Sequence, residues 1–580
     1  MKEKFSILVP LYNTPDVFLH DMIDSVQNQT YKNWELCLAD ASDKEHSYVE
    51  DIVNEYAQKD RRIKYAKLSQ NRGISENTNA CIDISTGNYM VLLDHDDVLD
   101  KRALKEVARV ISKTGADFIY SDEAKFTTSI EDWFAPNYKP DFSKYELRAH
   151  NYICHLTVYS RELLEQAGRY RKECDGSQDH DMVLRLTERA KRIEHIPKIL
   201  YYWRVHRESV SAGVENKSYA IDAAKKAVLD QVNRSGENAE IVTHNPFPLL
   251  YDVQYEVKGN PAVMIVLHGE GNLVELKRCI ESINVAAGYD NYEFLIFTKN
   301  KEIDISKILL SEIKNTHPYE ILYGALNDLK TQEILAEKGQ DYLLFMNYDC
   351  EAESVEFLKE LLMMAQQEDI GFVGPKIIGL DDSVKQAGVA LSKEVPTGIV
   401  CRFFGEAVSS YGYEAGLCHV REVTALSQDC MMISAEKFQE IGGFSSEYTW
   451  YAGVDICLCA RKKSYKNVWT PYAIVKKHTE QTKPKLCEIE SFREKWKNLY
   501  KKEDPYYNRF IRYDIDQIHD KNSFSTLCKK SVQYLCDDGI NGLFERIKVY
   551  QGKGGDHSSS HVSYAPQKVN DIKTAYKDIL

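Results

Sequence analysis

Three carboxylates fall within four residues at Asp94-His95-Asp96-Asp97. They follow a short apolar run, Tyr89-Met90-Val91-Leu92-Leu93. That run is too short for a helix and reads as a buried parallel strand. Ligands of open α/β sheets collect at the carboxyl ends of strands, so these acids stand where a ligand would lie. Packed carboxylates raise one another's pKa unless a cation sits among them. A hard divalent ion such as Mg2+ or Mn2+ prefers one or two carboxylates together with phosphate oxygens. The chemistry on offer is a metal–diphosphate site. The plain alternative is a solvated acidic loop leading into the next helix, because Asp-X-Asp is a common triplet.

The elements before it repeat one plan. Phe5 to Val9 reads as a strand, and Pro10-Leu11-Tyr12-Asn13 as the turn after it. Thr14 suits the cap of the next helix, with Pro15 at its first position. Trp34 to Ala39 is a strand ending at Asp40, and Ile63 to Leu68 is a strand followed by Asn71-Arg72-Gly73. Strand–helix alternation of this kind predicts a doubly wound α/β sheet. Its polar loops converge on one edge, which gathers Tyr12, Asp40, Arg72, Asp94 and Asp96. Asp40 suits the hydroxyl or N–H groups of a nucleoside, and Arg72 suits phosphate. Turn formation is the competing explanation for Asp40 and Asn71. Further on, Asp181 and Arg185 share a helix face, and Asp179 lies at the positive start of that helix. The aromatic residues of 116–160 suit either core packing or a sugar-facing wall.

Bulk properties narrow the class. A chain of 580 residues exceeds one core and calls for two or three domains. Hydrophobic residues make up 43% and charged residues 28%, an ordinary globular balance. The net charge of −14 argues against nucleic acid as a partner. No apolar run reaches membrane-span length and no signal peptide is evident. The 14 cysteines show no zinc spacing and read as reduced core residues of a cytoplasmic protein.

Four segments in order carry a resemblance: Ile7-Leu8-Val9-Pro10-Leu11-Tyr12-Asn13, Leu38-Ala39-Asp40-Ala41-Ser42-Asp43, Asn71-Arg72-Gly73-Ile74-Ser75 and Leu92-Leu93-Asp94-His95-Asp96-Asp97. Together they resemble the family 2 glycosyltransferases of GT-A fold, which are inverting and use nucleotide sugars. The resemblance implies that Pro10, Tyr12, Asp40 and Arg72 line the donor pocket. It implies that Asp94 and Asp96 hold Mn2+ or Mg2+, with Asp94 also touching substrate. Ala39 departs from the family's frequent second Asp, which loosens the choice of a UDP- or dTDP-sugar donor. Gln178-Asp179 resembles the family's acidic motif, which implies Asp179 as the base that takes the acceptor proton. Trp203-Arg204-Val205-His206 resembles the family's late Trp-Arg-X-His stretch, which implies His206 as a third metal ligand and Arg204 or Arg207 on phosphate.

The second half reads as a worn copy. Tyr31 to Asp40 aligns without a gap to Tyr289 to Thr298, and Tyr89 to Asp96 to Tyr342 to Asp349. Gln439 to His478 resembles rhamnosyltransferase-like members of the family. Asp40 becomes Thr298, Pro10 becomes His268, Asp94 becomes Asn347, and Ala452-Gly453 stands at the acidic motif. The expected fold is α/β: two tandem GT-A, Rossmann-like domains with a helical carboxyl-terminal extension. The expected boundaries are 1–235 for an active domain, 236–258 for a linker, 259–500 for a degenerate domain and 501–580 for a partly flexible tail. The tail has basic stretches at 524–535 and 540–550 that suit a membrane surface or the protein's own.

The expected function is transfer of a sugar from a nucleotide sugar to a saccharide in bacterial surface-polysaccharide synthesis. The resemblance implies a lipid-linked acceptor and hence contact with the inner membrane face; a homo-oligomer is left open. The rivals are a bifunctional enzyme using Asp349, Asp455 and His478, and a non-catalytic saccharide-binding assembly subunit. A nucleotidyltransferase would need a Gly-rich basic loop where Pro10-Leu11-Tyr12-Asn13 stands.

Overall fold

The computed structural model describes residues 3–206, 218–244, 246–269, 272–299, 317–328, 333–335, 337–480, 483–508 and 510–511. The first half supplies nine strands: β1 (Phe5–Leu11), β2 (Trp34–Asp40), β3 (Ile63–Lys67), β4 (Tyr89–Leu92), β5 (Val98–Leu99), β6 (Phe118–Phe126), β7 (Phe134–Asn137), β8 (Thr157–Ser160) and β9 (Ile193–Arg204). They form one sheet in the order β3-β2-β1-β4-β8-β6-β9-β5, with β7 paired to β6. The parallel core strands β1, β2 and β4 are buried along their whole length. Only a continuously apolar run survives in a sheet covered on both faces.

A hairpin follows, β10 (Ala239–His244) and β11 (Phe247–Tyr255). Next come β12 (Val263–His268), β13 (Tyr292–Thr298), β14 (Tyr319–Tyr323), β15 (Tyr342–Asn347), β16 (Cys350–Ala352), β17 (Ile370–Gly379), β18 (Val384–Gln386), β19 (Val389–Leu391), β20 (Ile399–Cys401), β21 (Arg421–Val423), β22 (Cys430–Ser434) and β23 (Lys466–Lys477). The second sheet runs β14-β13-β12-β15-β22-β17-β23-β16. Position by position this is the order of the first sheet. The α/β architecture is therefore the expected pair of tandem GT-A domains, and the repeat extends to register. Phe5 pairs with Tyr89 as Val263 pairs with Tyr342, and Tyr89 pairs with Ser160 as Tyr342 pairs with Ser434.

Two details differ from expectation. The stretch taken as a linker, 236–258, folds as the β10–β11 hairpin. Its Tyr251, Val253 and Tyr255 are buried in a core that continues from the first sheet into the second. Buried Arg148 donates to Tyr255 Oη at 2.6 Å. Apolar alternation in a nominal linker is the signal of a strand that finds a surface to cover. The start of the expected tail also packs back. Asn508 Nδ2 donates to Asp122 Oδ2 at 3.2 Å and to the Lys139 carbonyl at 3.1 Å. The basic stretches at 524–535 and 540–550 lie outside the described residues. Among the described residues no helix is long and apolar enough to cross a membrane.

Candidate active site

The Asp94–Asp97 turn is shaped by a strand from far along the chain. β5 pairs with β9, Val98 with Tyr202 and Leu99 with Tyr201. This pairing lays Tyr201 to His206 across the acids. Asp97 is fully buried and accepts from Tyr201 Oη at 2.5 Å and from the Arg204 backbone N–H at 2.7 Å. Burial, then the charges of Asp96 and Asp94, push its carboxyl well above the usual range. Asp97 thus fastens the turn, while Asp94 and Asp96 stay accessible. Asp96 meets His206 Nε2 at 2.8 Å. The Asp94 backbone N–H donates to Tyr201 Oη at 3.2 Å, and its half-exposed carboxylate lies 3.6 Å from His155 Nε2. The His155 ring stacks on Tyr201 at 4.8 Å.

Asp179 lies in the first turn of the helix Gln178–Thr187. Burial, followed by the negative charge of Asp94, raises its pKa to about 6, against the opposing pull of His155 and of Gln178. Gln178 donates to Asp179 at 2.9 Å. The helix is anchored one turn further on. Buried Asp181 takes two hydrogen bonds from Arg185, at 2.9 and 2.7 Å, and an ion pair from Arg171. A carboxyl titrating near 6 suits a general base at neutral pH.

The donor-side residues are spread along the strand ends. Pro10 is buried at the end of β1, while Tyr12 is 46% exposed on the turn after it. Asp40 is buried; its carboxylate accepts from the Ser42 backbone N–H (2.8 Å), Tyr65 Oη (2.8 Å) and Lys67 Nζ (2.7 Å). Burial opposes its charge, but Lys67, Ser42 and Tyr65 outweigh burial and hold the carboxyl below its usual range. Arg72 is exposed on the loop before the helix Ile74–Ile84. Gly73 there has φ +100°, and a Cβ would meet Asp175 Oδ2 at 2.3 Å. The position admits only glycine.

Two sequence expectations change. Arg204 is not a phosphate ligand. Its guanidinium is buried between the rings of Phe18 and Phe126 and bound to the Asp96 carbonyl (2.7 Å), the Thr127 carbonyl (3.3 Å) and Asp21 (2.8 Å). It holds the metal-side turn from behind. Thr14 does not cap the first helix, Asp16–Gln27; its hydroxyl bonds His95 Nδ1 at 2.9 Å. Of the expected metal ligands, Asp96 and His206 form the close pair, with Asp94 turned toward His155. Arg207 lies outside the described residues. His155 and Tyr201 carry no motif, and only the fold reveals them, since their partners stand 61 to 107 residues away.

The second domain's counterpart keeps a cavity of about 150 Å³ lined by Asp429, Lys477, Thr479 and Glu480, and its charged groups pair with one another. From residue 154 to 206 the two halves correspond without a gap to 428–480. Ser160 matches Ser434, the helix Gln178–Thr187 starts where Ala452–Lys462 does, and Val98–Tyr202 matches Glu351–Lys476. Asp179 becomes Gly453, His155 becomes Asp429, Trp203 becomes Lys477, Arg204 becomes His478 and His206 becomes Glu480. Lys477 is buried against Asp429 and lies 3.9 Å from Asp349. Asp349 also accepts the Thr479 hydroxyl. His478 bonds Arg278 at 2.7 Å, and Arg278 pairs with Glu351 at 3.0 Å. A Cβ on Gly453 would meet the Gln428 backbone nitrogen at 2.4 Å. Lys477 stands beside the counterpart of Asp96, and main chain stands at the counterpart of Asp179.

Residues 6–168 match the family model described as Glycosyl transferase family 2. An uncharacterized protein, y4gI, of Sinorhizobium fredii is 32% identical over 531 residues, covering 87% of this chain and 57% of that protein. The O-antigen biosynthesis protein RfbC of Myxococcus xanthus is 29% identical over 460 residues, covering 76% of this chain and 35% of that protein. The minor teichoic acid biosynthesis protein GgaB of Bacillus subtilis is 26% identical over 359 residues, covering 59% of this chain and 37% of that protein. The chain thus spans about half or less of the length of these relatives. The family match lies within the first domain, at residues 6–168.

Proposed function

We propose that the first domain transfers a sugar, with inversion, from a UDP- or dTDP-sugar to a saccharide acceptor during assembly of a bacterial surface polysaccharide. The observation that carries this reading is Asp179. A carboxyl raised to about 6 faces a cluster of accessible acids at the strand ends. The acceptor hydroxyl gives its proton to Asp179 as its oxygen bonds C1 of the donor sugar. The bond from C1 to the diphosphate oxygen breaks on the opposite face, so the anomeric centre inverts. His155, 3.6 Å from Asp94, also pulls the Asp179 pKa down, against the effect of the Asp94 charge. Tyr12, Asp40 and Arg72 bind the nucleoside diphosphate.

The donor set fits a divalent cation. Asp96 and His206 would hold Mn2+ or Mg2+ as an oxygen–nitrogen pair, with Asp94 beside them, and the remaining ligands would be diphosphate oxygens. When bound, such an ion neutralises charge building on the leaving nucleoside diphosphate. The names of the Myxococcus and Bacillus relatives support a surface polysaccharide as the product. Residence in the cytoplasm at the inner membrane face, with a lipid-linked acceptor, goes with that reading. The internally paired second site supports one active domain rather than two.

The test is a panel of nucleotide sugars incubated with the full chain and Mn2+, read by chromatography of the released nucleotide. The expected result is release from a UDP- or dTDP-sugar that stops with EDTA. No metal-dependent release from any donor would refute the reading.

A further inference from the structure

Between the two halves lies a cavity of about 210 Å³ that the chemistry above does not use. The first domain lines it with Tyr138, Asn151 and Trp203, the second with Arg402, Tyr413 and His419. It backs onto the active site. Glu123, in its lining, accepts the backbone N–H of His155, and Trp203 meets the His155 ring edge-on at 6.4 Å. Around it, His150 Nε2, Asn151 Oδ1 and Arg402 Nε are buried and have no hydrogen-bond partner among the described residues. Buried polar atoms are nearly always paired, so three orphans on residues that line one cavity point to a polar guest beside them. Donors and acceptors set among aromatic rings suit a sugar, whose hydroxyls both give and take hydrogen bonds and whose C–H faces lie against rings.

We propose that this interdomain cavity is a saccharide subsite that holds one sugar residue of the acceptor, with the second domain supplying part of its wall. The inference rests on the transferase reading above and adds a task for the domain that lost its own chemistry. The rival occupant is a cation. Glu146, His150 and His419 place ligating atoms within 4.8 Å of one another at the same cavity. Arg402 and Arg421 already act on Glu146, and two neighbouring guanidiniums disfavour a further positive charge.

The experiment uses the full chain and p-nitrophenyl glycosides of the common hexoses and N-acetylhexosamines, followed by saturation-transfer NMR with and without UDP and Mn2+. At least one glycoside is expected to bind, to stay bound when UDP is added, and to weaken by roughly tenfold in Asn151→Ala and in Arg402→Ala. Circular dichroism checks that each variant is folded, and the UDP competition needs no variant. Absence of glycoside binding, displacement by UDP, or unchanged binding in both folded variants would overturn the subsite. So would one equivalent of zinc in the purified chain that His419→Ala removes. A chain that turns over a nucleotide sugar but binds no glycoside refutes this inference alone. One that binds a glycoside but consumes no donor refutes the transferase reading alone.

Discussion

The two domains share a sheet order and a register but differ in what stands at the strand ends. In the first, acids are held open: Asp97 and Arg204 fasten the turn from behind, Asp94 and Asp96 stay accessible, and Asp179 lies close enough to feel the Asp94 charge. In the second, the equivalent positions are engaged by the chain itself. Lys477 takes the place of an external cation, and the backbone at Gln428 takes the space of a base. A duplicated fold can thus keep its core and lose its chemistry by pairing its remaining acids internally. A buried acid with an internal cation no longer needs a bound one.

Breaking the comparison starts with the base. Asp179→Asn is expected to lower kcat by about 10²–10⁴-fold in a nucleotide-release assay with acceptor. Gly453→Asp is expected to confer no activity, because its side chain has no room. Next comes the cation. His206→Ala is expected to raise the Mn2+ concentration needed for half-maximal turnover by roughly tenfold to a hundredfold. His478→Ala is expected to leave that concentration within about twofold, since the second site holds its own cations. A metal titration of both variants decides it.

The pH profile sharpens the same contrast. A base must be ionised, and Asp179 is raised to about 6. So kcat/KM is expected to fall about tenfold per pH unit below that value. His155 lowers the Asp179 pKa, so in His155→Gln the acid limb should move to higher pH. A limb that stays put would remove His155 from the site. The smallest effect is on stability. Gly453→Ala should cost about 1–3 kcal/mol in urea unfolding through its clash with Gln428, whereas Gly115→Ala, where a Cβ meets nothing within 4 Å, should cost less despite its φ of +70°.

Much of the fold was legible because its signals are local. Continuously apolar runs ending in Asp40 or Asp94 mark parallel strands and place acids at one edge. The losses at Thr298, Asn347 and Gly453 were visible as substitutions. Less was legible where a residue's role depends on a distant partner. Arg204 reads as a phosphate ligand until the β5–β9 register buries it between Phe18 and Phe126. Thr14 reads as a cap until His95 comes within reach. Tyr201 and His155 belong to the site only because strands far apart in sequence meet there. Gly453 reads as a missing acid, but the fold adds that no acid would fit.

The central claim is that one domain of the pair carries the chemistry, and paired variants of the equivalent aspartates test it most directly. Metal-dependent donor turnover should fall at least roughly a hundredfold in Asp96→Asn and stay within about twofold of the parent in Asp349→Asn. Loss of turnover in Asp349→Asn with Asp96→Asn unaffected would contradict the account.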